Sequence, residues 1–191
     1  SILKGTVPKG RAEFGVKGSM PDPSLFFASS FNDYLVSSNI SITNTPTTVR
    51  ILKLNNGDYN NPTKVINTFY SPSLESIIYH TNIKSVNIFA ESILKAIAYQ
   101  KSGKGTTLEG VKQINLFLKS IGVNTNGLQM VDGCGLSVQN QVTPKFLTDF
   151  LKAYSKDNNF EVFYNTLPVA GESGSLKNMF KGDGVNDKIR E

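Results

Sequence analysis

Three stretches of this chain combine residue types that could do chemistry. The first is Lys84-Ser85-Val86-Asn87, a hydroxyl and a carboxamide two residues apart, placed just before a run of helical periodicity. The second is Val131-Asp132-Gly133-Cys134-Gly135-Leu136-Ser137-Val138-Gln139-Asn140, followed by Thr143-Pro144. The third is Leu167-Pro168-Val169-Ala170-Gly171, followed by Gly174-Ser175-Leu176. Taken alone, the Ser85 and Asn87 pair is a weak signal, because a serine ahead of a helix serves equally well as its N-cap. In the second stretch, two glycines alternate with small or polar residues after an apolar run. That permits a tight turn and close backbone approach, and alone it reads as structure. One histidine, His80, argues against a His-based zinc site or a Ser-His-Asp triad, and reads as a polar residue near a helix end. If this chain helps to cut a bond, the base is not histidine. One cysteine, Cys134, excludes an internal disulfide.

The elements that must position these residues are mostly helices. Residues 3–7 and 12–17 read as short strands around the turn Pro8-Lys9-Gly10. Pro23 suits a first helical turn, and Phe27, Phe31, Tyr34 and Leu35 recur at helical spacing up to Asn39, a plausible stop. Residues 40–42 and 48–54 read as strands, with Asn55-Asn56-Gly57-Asp58 as a turn and Asn61-Pro62 in a loop. Residues 72–79 form a short helix candidate. Val86, Phe89, Ile93, Leu94, Ile97 and Ala98 make an apolar stripe over residues 86–101, ended by Gly103. Thr106 and Glu109 form a capping-box pattern before Leu108, Val111, Ile114, Phe117, Leu118 and Ile121, with Gly122 as the stop. Residues 128–131 are a short strand candidate. Pro144 opens a helix with Phe146, Leu147, Phe150, Leu151 and Tyr154 on one face. All these stripes are read as core packing.

Length and composition allow one domain with its own core: 191 residues, 39% hydrophobic and 18% charged. The net charge of +5 would suit an anionic polymer, but the lysines are scattered singly. A nucleic-acid surface would cluster them with aromatics, so that class is set aside. No run of 18 apolar residues exists, so no membrane span is expected. The residues show no signal peptide. The first of them is Ser1 and not Met, so this carries no weight on location.

Together and in this order, the three stretches resemble the class C low-molecular-mass penicillin-binding proteins, the relatives of penicillin-binding protein 4. Residues 84–91 resemble the family's Ser-x-Asn motif and the helix behind it. Residues 132–137 resemble its Asp-Gly-Ser-Gly-Leu-Ser, with Asn140 and Pro144 in the expected following positions. The third stretch resembles its Leu-Pro-x-Ala-Gly-x-x-Gly-(Ser/Thr)-Leu segment. Near the start, Gly5-Thr6-Val7-Pro8, Gly10 and Asp22-Pro23 with Leu25-Phe26 and Ala28 add to the likeness, which covers nearly the whole chain.

The resemblance implies an α+β fold of the serine β-lactamase and DD-peptidase type, with helices packed on an antiparallel sheet that is incomplete in these residues. Residues 1–191 would be part of the catalytic domain, and residues 1–20 a segment returning from an inserted domain. The implied reaction is acyl transfer at D-Ala-D-Ala stem peptides of peptidoglycan, outside the cytoplasm, with β-lactams as covalent inhibitors. By the same resemblance Ser85 is the proton relay and Asn87 holds the substrate. Lys84 adds positive charge, while Asp132, Gly133, Gly135 and Ser137 shape the substrate-binding wall. No cofactor, metal or nucleic-acid partner is implied. Two Ser-x-x-Lys strings occur, Ser1 to Lys4 and Ser92 to Lys95, and neither falls where the family has its nucleophile. A Lys-(Thr/Ser)-Gly strand is missing as well. The nucleophile and that strand are therefore expected outside residues 1–191, which alone would be inactive. Cys134 replaces the family's usual serine and is read as a buried small thiol. An unpaired sheet edge would favour pairing with another copy. The alternative function is a non-catalytic wall-binding domain on the same scaffold.

Overall fold

The computed structural model describes residues 20–58 and 67–181, together with positions 6, 9, 10, 15, 18, 65, 184, 189 and 190. The expected strands at 3–7 and 12–17, and the loop at Asn61-Pro62, lie outside the described residues except for Thr6 and Gly15. The chain divides into two compact units, Ser1–Thr68 and Phe69–Glu191.

Among its described residues the first unit carries two helices. Helix α1 spans Pro23–Ser37, and the Asp22 carboxylate caps it by accepting the Leu25 N–H at 3.0 Å. Asp22 also pairs with Arg50 on α2, Val49–Leu54. That guanidinium, with the Leu25 N–H, holds the Asp22 carboxyl below its ordinary value. Helix α1 stops as expected at Asn39, which adopts a left-handed conformation while the Ile40 N–H returns to Leu35 O at 2.9 Å.

Two expectations fail here. Residues 40–42 are not a strand, because Ile40 is consumed in that helix stop. Residues 48–54 are not a strand either. The Thr48 hydroxyl accepts the Ile51 N–H, and the Gly57 N–H closes onto Leu52 O at 2.8 Å. Caps at both ends outweigh the β preference of Val49 and Ile51.

In the second unit, α3 spans Leu74–Lys84 and α4 spans Asn87–Ser102, separated by only Ser85 and Val86. Helix α3 runs five residues past its expected end, through the polar His80, Thr81 and Asn82. The Thr81 hydroxyl donates to Ile77 O at 2.7 Å within the helix. Helix α4 stops at Gly103 and α5 starts at its Thr106 cap, both as expected, and α5 runs Thr107–Ser120. These two helices approach closely because position 110 is glycine: a Cβ there would lie 2.6 Å from Leu94 Cγ. Leu94 and Ala98 are buried at this contact.

Leu118, Val123 and Phe146 form the centre of a second contact, between α5 and α6, Pro144–Tyr154. Strands β1, Leu128–Gln129, and β2, Gln141–Val142, pair antiparallel and bracket the glycine stretch between them. A further helix, α7, Phe160–Asn165, is one the sequence pattern did not reveal. Among the described residues the architecture is helical, with one small antiparallel pair.

Candidate functional site

Ser85 sits at the corner between α3 and α4 with φ 52° and ψ 54°, in the left-handed region. It is the C-cap of α3 and not the N-cap of the next helix. Val86 holds that place without any side-chain cap. The capping role that competed for this hydroxyl in the sequence is therefore absent. The corner is held by backbone: the Ser85 and Val86 N–H groups both donate to Thr81 O, the latter at 3.1 Å. Among the described residues, none hydrogen-bonds the Ser85 hydroxyl or the Asn87 carboxamide, and both residues are exposed. Lys84, in the last turn of α3, is exposed beside them.

Ser85 lines a cleft of about 220 Å³ with Asn82, Ile83, Leu167, Pro168 and Ser175. The third sequence stretch is thus one wall of the Ser85 cleft. Asn82 Nδ2 donates to Thr166 Oγ1 at 2.7 Å, and Thr166 is 2% exposed. The short turn Gly174–Leu176 closes the same side. Gly174 has φ +57°, and a Cβ there would lie 2.7 Å from Pro168 Cβ and 3.2 Å from Ile83 O. Behind this wall, the Arg190 guanidinium lies 4.4 Å from the Tyr164 ring centroid and donates to Leu167 O at 3.3 Å.

The second stretch is organised by Asp132. Its carboxylate accepts the Gly135 N–H at 2.6 Å, the Ser137 N–H at 2.8 Å and Asn140 Nδ2 at 3.0 Å. Burial works to raise the Asp132 pKa, but the Ser137 N–H, the Asn140 amide and the Gly135 N–H outweigh it and hold the carboxyl low. Asn140 returns a bond by accepting the Val131 N–H at 2.8 Å. Gly135 takes φ 74° in this turn. The Ser137 hydroxyl accepts the Gln139 N–H at 3.2 Å. Cys134 is free and half-buried, less enclosed than its expected place as a buried thiol.

Gly133 presses the turn onto α4. A Cβ at Gly133 would lie 2.9 Å from Leu94 Cβ and 3.0 Å from Ala90 O. The Gly133 N–H donates to Glu91 Oε2 at 2.8 Å, while Glu91 Oε1 accepts the Thr107 hydroxyl at 2.5 Å. The Thr107 hydroxyl first, and the Gly133 N–H second, hold the Glu91 carboxyl below its ordinary value. Asn87, Ala90, Glu91 and Leu94 follow i, i+3, i+4, i+7 spacing, so they share one stripe of α4. Asn87 heads the stripe on which the glycine turn rests. Ser85 faces the other wall. Asn82 borders both the Ser85 cleft and a cavity of about 280 Å³ that Gly133 lines.

The Ser92 to Lys95 string lies on α4, outside this cleft. Ser92 lines a larger apolar cavity of about 560 Å³ with Leu74, Ile77, His80, Phe89 and Ile93. Lys95 Nζ sits 3.4 Å from Glu91 Oε1. The residues sequence reasoning missed are Asn82, Thr166 and Glu91. Asn82 stands one helical turn before Ser85 and Thr166 directly precedes Leu167. Glu91 stands four residues after Asn87.

Known proteins share sequence and fold with this chain. A profile of the D-Ala-D-Ala carboxypeptidase 3 (S13) family matches residues 1–191. Carboxypeptidase DacB of Mycolicibacterium smegmatis is 33% identical over 113 residues, which is 58% of this chain and 24% of that protein. The D-alanyl-D-alanine carboxypeptidase of an Actinomadura species is 36% identical over 103 residues, 51% of this chain and 19% of that protein. The chain therefore spans about a quarter or less of the length of these relatives. A structure of penicillin binding protein 4 from Haemophilus influenzae, in complex with a β-lactam, superposes with a TM-score of 0.68. It covers 86% of this chain and 36% of that one at 22% identity, a likeness of fold.

Proposed function

Because the chain belongs to the D-Ala-D-Ala carboxypeptidase 3 (S13) family, we propose that it supplies the proton-relay and substrate-holding residues of an acyl-serine peptidase acting on peptidoglycan stem peptides outside the cytoplasm. In this reading a serine supplied from outside residues 1–191 attacks the penultimate D-alanyl carbonyl. The peptide C–N bond breaks, the acyl group stays on that serine, and D-alanine leaves once its nitrogen gains a proton. Ser85 passes that proton, and the Asn87 carboxamide holds the peptide beside it. Asp132, Gly133, Gly135 and Ser137 shape a second substrate-binding wall, on the Asn87 side of α4, with the Asp132 carboxylate spent on its own loop. Lys84 contributes positive charge near the rim.

The observation that carries this reading is the Ser85 hydroxyl. It stands at a strained two-residue corner, unused as a helix cap, in a cleft lined partly by polar groups. Backbone strain of this kind concentrates at functional positions. Labelled penicillin tests the proposal on the full-length protein: a covalent serine adduct and release of D-alanine from a D-Ala-D-Ala peptide are expected. A full-length protein that takes no label overturns it. Residues 1–191 alone are expected to stay unlabelled.

A further inference from the structure

We infer that Asn82 and Thr166 are positioning residues for Ser85, joined by a hydrogen bond that sets the width of its cleft. This rests on the peptidase reading above. Asn82 and Ser85 are three residues apart at the end of α3, and both line the cleft. Thr166 directly precedes Leu167 and Pro168, which form the opposite wall. The 2.7 Å bond from Asn82 Nδ2 to Thr166 Oγ1 therefore spans from the hydroxyl-bearing corner to the segment that faces it. Among the described residues it is the only side-chain to side-chain hydrogen bond from α3 to another element. The Thr166 hydroxyl donates its own hydrogen bond to Phe163 O at 2.6 Å, so its orientation is set from both sides.

Burial makes this link selective. Thr166 is 2% exposed, and water does not replace a lost partner there. The left-handed Ser85 backbone persists only while its surroundings over-determine it. Gly174, against Pro168 and Ile83 O, fixes the wall from one side, and the Asn82–Thr166 bond fixes it from the other. With the Asn82 amide engaged in this bond, its role is to place Ser85, while Ser85 moves the proton.

The test uses full-length protein and labelled penicillin, with the noncovalent dissociation constant and the acylation rate constant measured separately. Thr166→Val keeps the shape and removes the hydroxyl. It is expected to slow acylation by about tenfold to a hundredfold, the scale of a small misplacement, with little change in the dissociation constant. Thr166→Ser is expected to restore the rate. Asn82→Ala, which leaves the Thr166 bond to Phe163 intact, is expected to match Thr166→Val and serves if the valine variant fails to fold. A role confined to folding would lower the labelled fraction and leave its rate constant unchanged, and that result overturns the inference. So does a serine variant that fails to restore the rate. Wild-type protein without label overturns the peptidase reading and this role with it. Labelled wild type with variants of equal rate overturns the positioning role alone.

Discussion

A serine with positive φ carries a backbone cost that glycine would not, roughly 1–2 kcal/mol. Glycine loses more entropy on folding, which offsets about half of that gain. Ser85→Gly is therefore expected to melt within about 1 kcal/mol of the parent. If Ser85 relays a proton, the same variant releases D-alanine about a hundredfold more slowly, a comparison read from thermal melts beside turnover. A corner serine with no chemical role would lose nothing. Asp132 makes a second prediction at this scale. Its carboxyl is held below the ordinary 3.8, and that of Glu91 below 4.5, so the folded state favours both charged forms. The stability they contribute is present above those values and is lost as pH falls through the lower folded ones. Melting temperature is expected to decline as pH drops below about 4, and less steeply in Asp132→Asn, measured by a pH series of melts.

Glycine decides the helix contacts. Helices α4 and α5 cannot meet at their present separation with a side chain at position 110, because Leu94 Cγ and the Leu94 carbonyl oxygen stand 2.6 and 2.7 Å from where its Cβ would be. Gly110→Ala is expected to cost about 1–3 kcal/mol, as overpacking does, in a denaturant titration. The same displacement would move Thr107 away from Glu91 and loosen the hold on Gly133. A disturbance at α5 would thus reach the glycine turn through one carboxylate. The β1–β2 pair is only two residues long on each side, yet it closes the base of the loop that Asp132 organises.

Across the whole molecule, much apolar surface remains open. Among the described residues, Leu108 is 84% exposed, Leu136 69% and Val138 96%, while the buried hydrophobic core holds few residues: Leu94, Ala98, Leu118, Val123, Phe146 and Ala170. Covering apolar side chains this exposed would favour association. Residues 1–191 alone are expected to self-associate, with a sedimentation mass above 20.9 kDa. A monomer with a sharply cooperative melt would count against this.

Local rules settled much of this protein. Thr106, Gly103, Pro144 and Asn39 mark helix ends through caps and φ preferences that act over a few residues, so α1, α4, α5 and α6 were legible, although the Glu109 carboxylate turns to Gln113 and does not complete the capping box. The ordered stretches around Ser85, Asp132 and Leu167 were legible too, because each keeps its residues close in sequence. Propensity misled at 48–54, where a threonine cap and a helix stop outweighed β-branched residues. Only the tertiary structure made Ser85 the C-cap of α3, set it against Leu167 and Pro168, and joined Asn82 to Thr166 across 84 residues. A hydrogen bond between distant positions leaves no periodicity in a sequence, since it depends on how helices pack and not on the spacing along one of them.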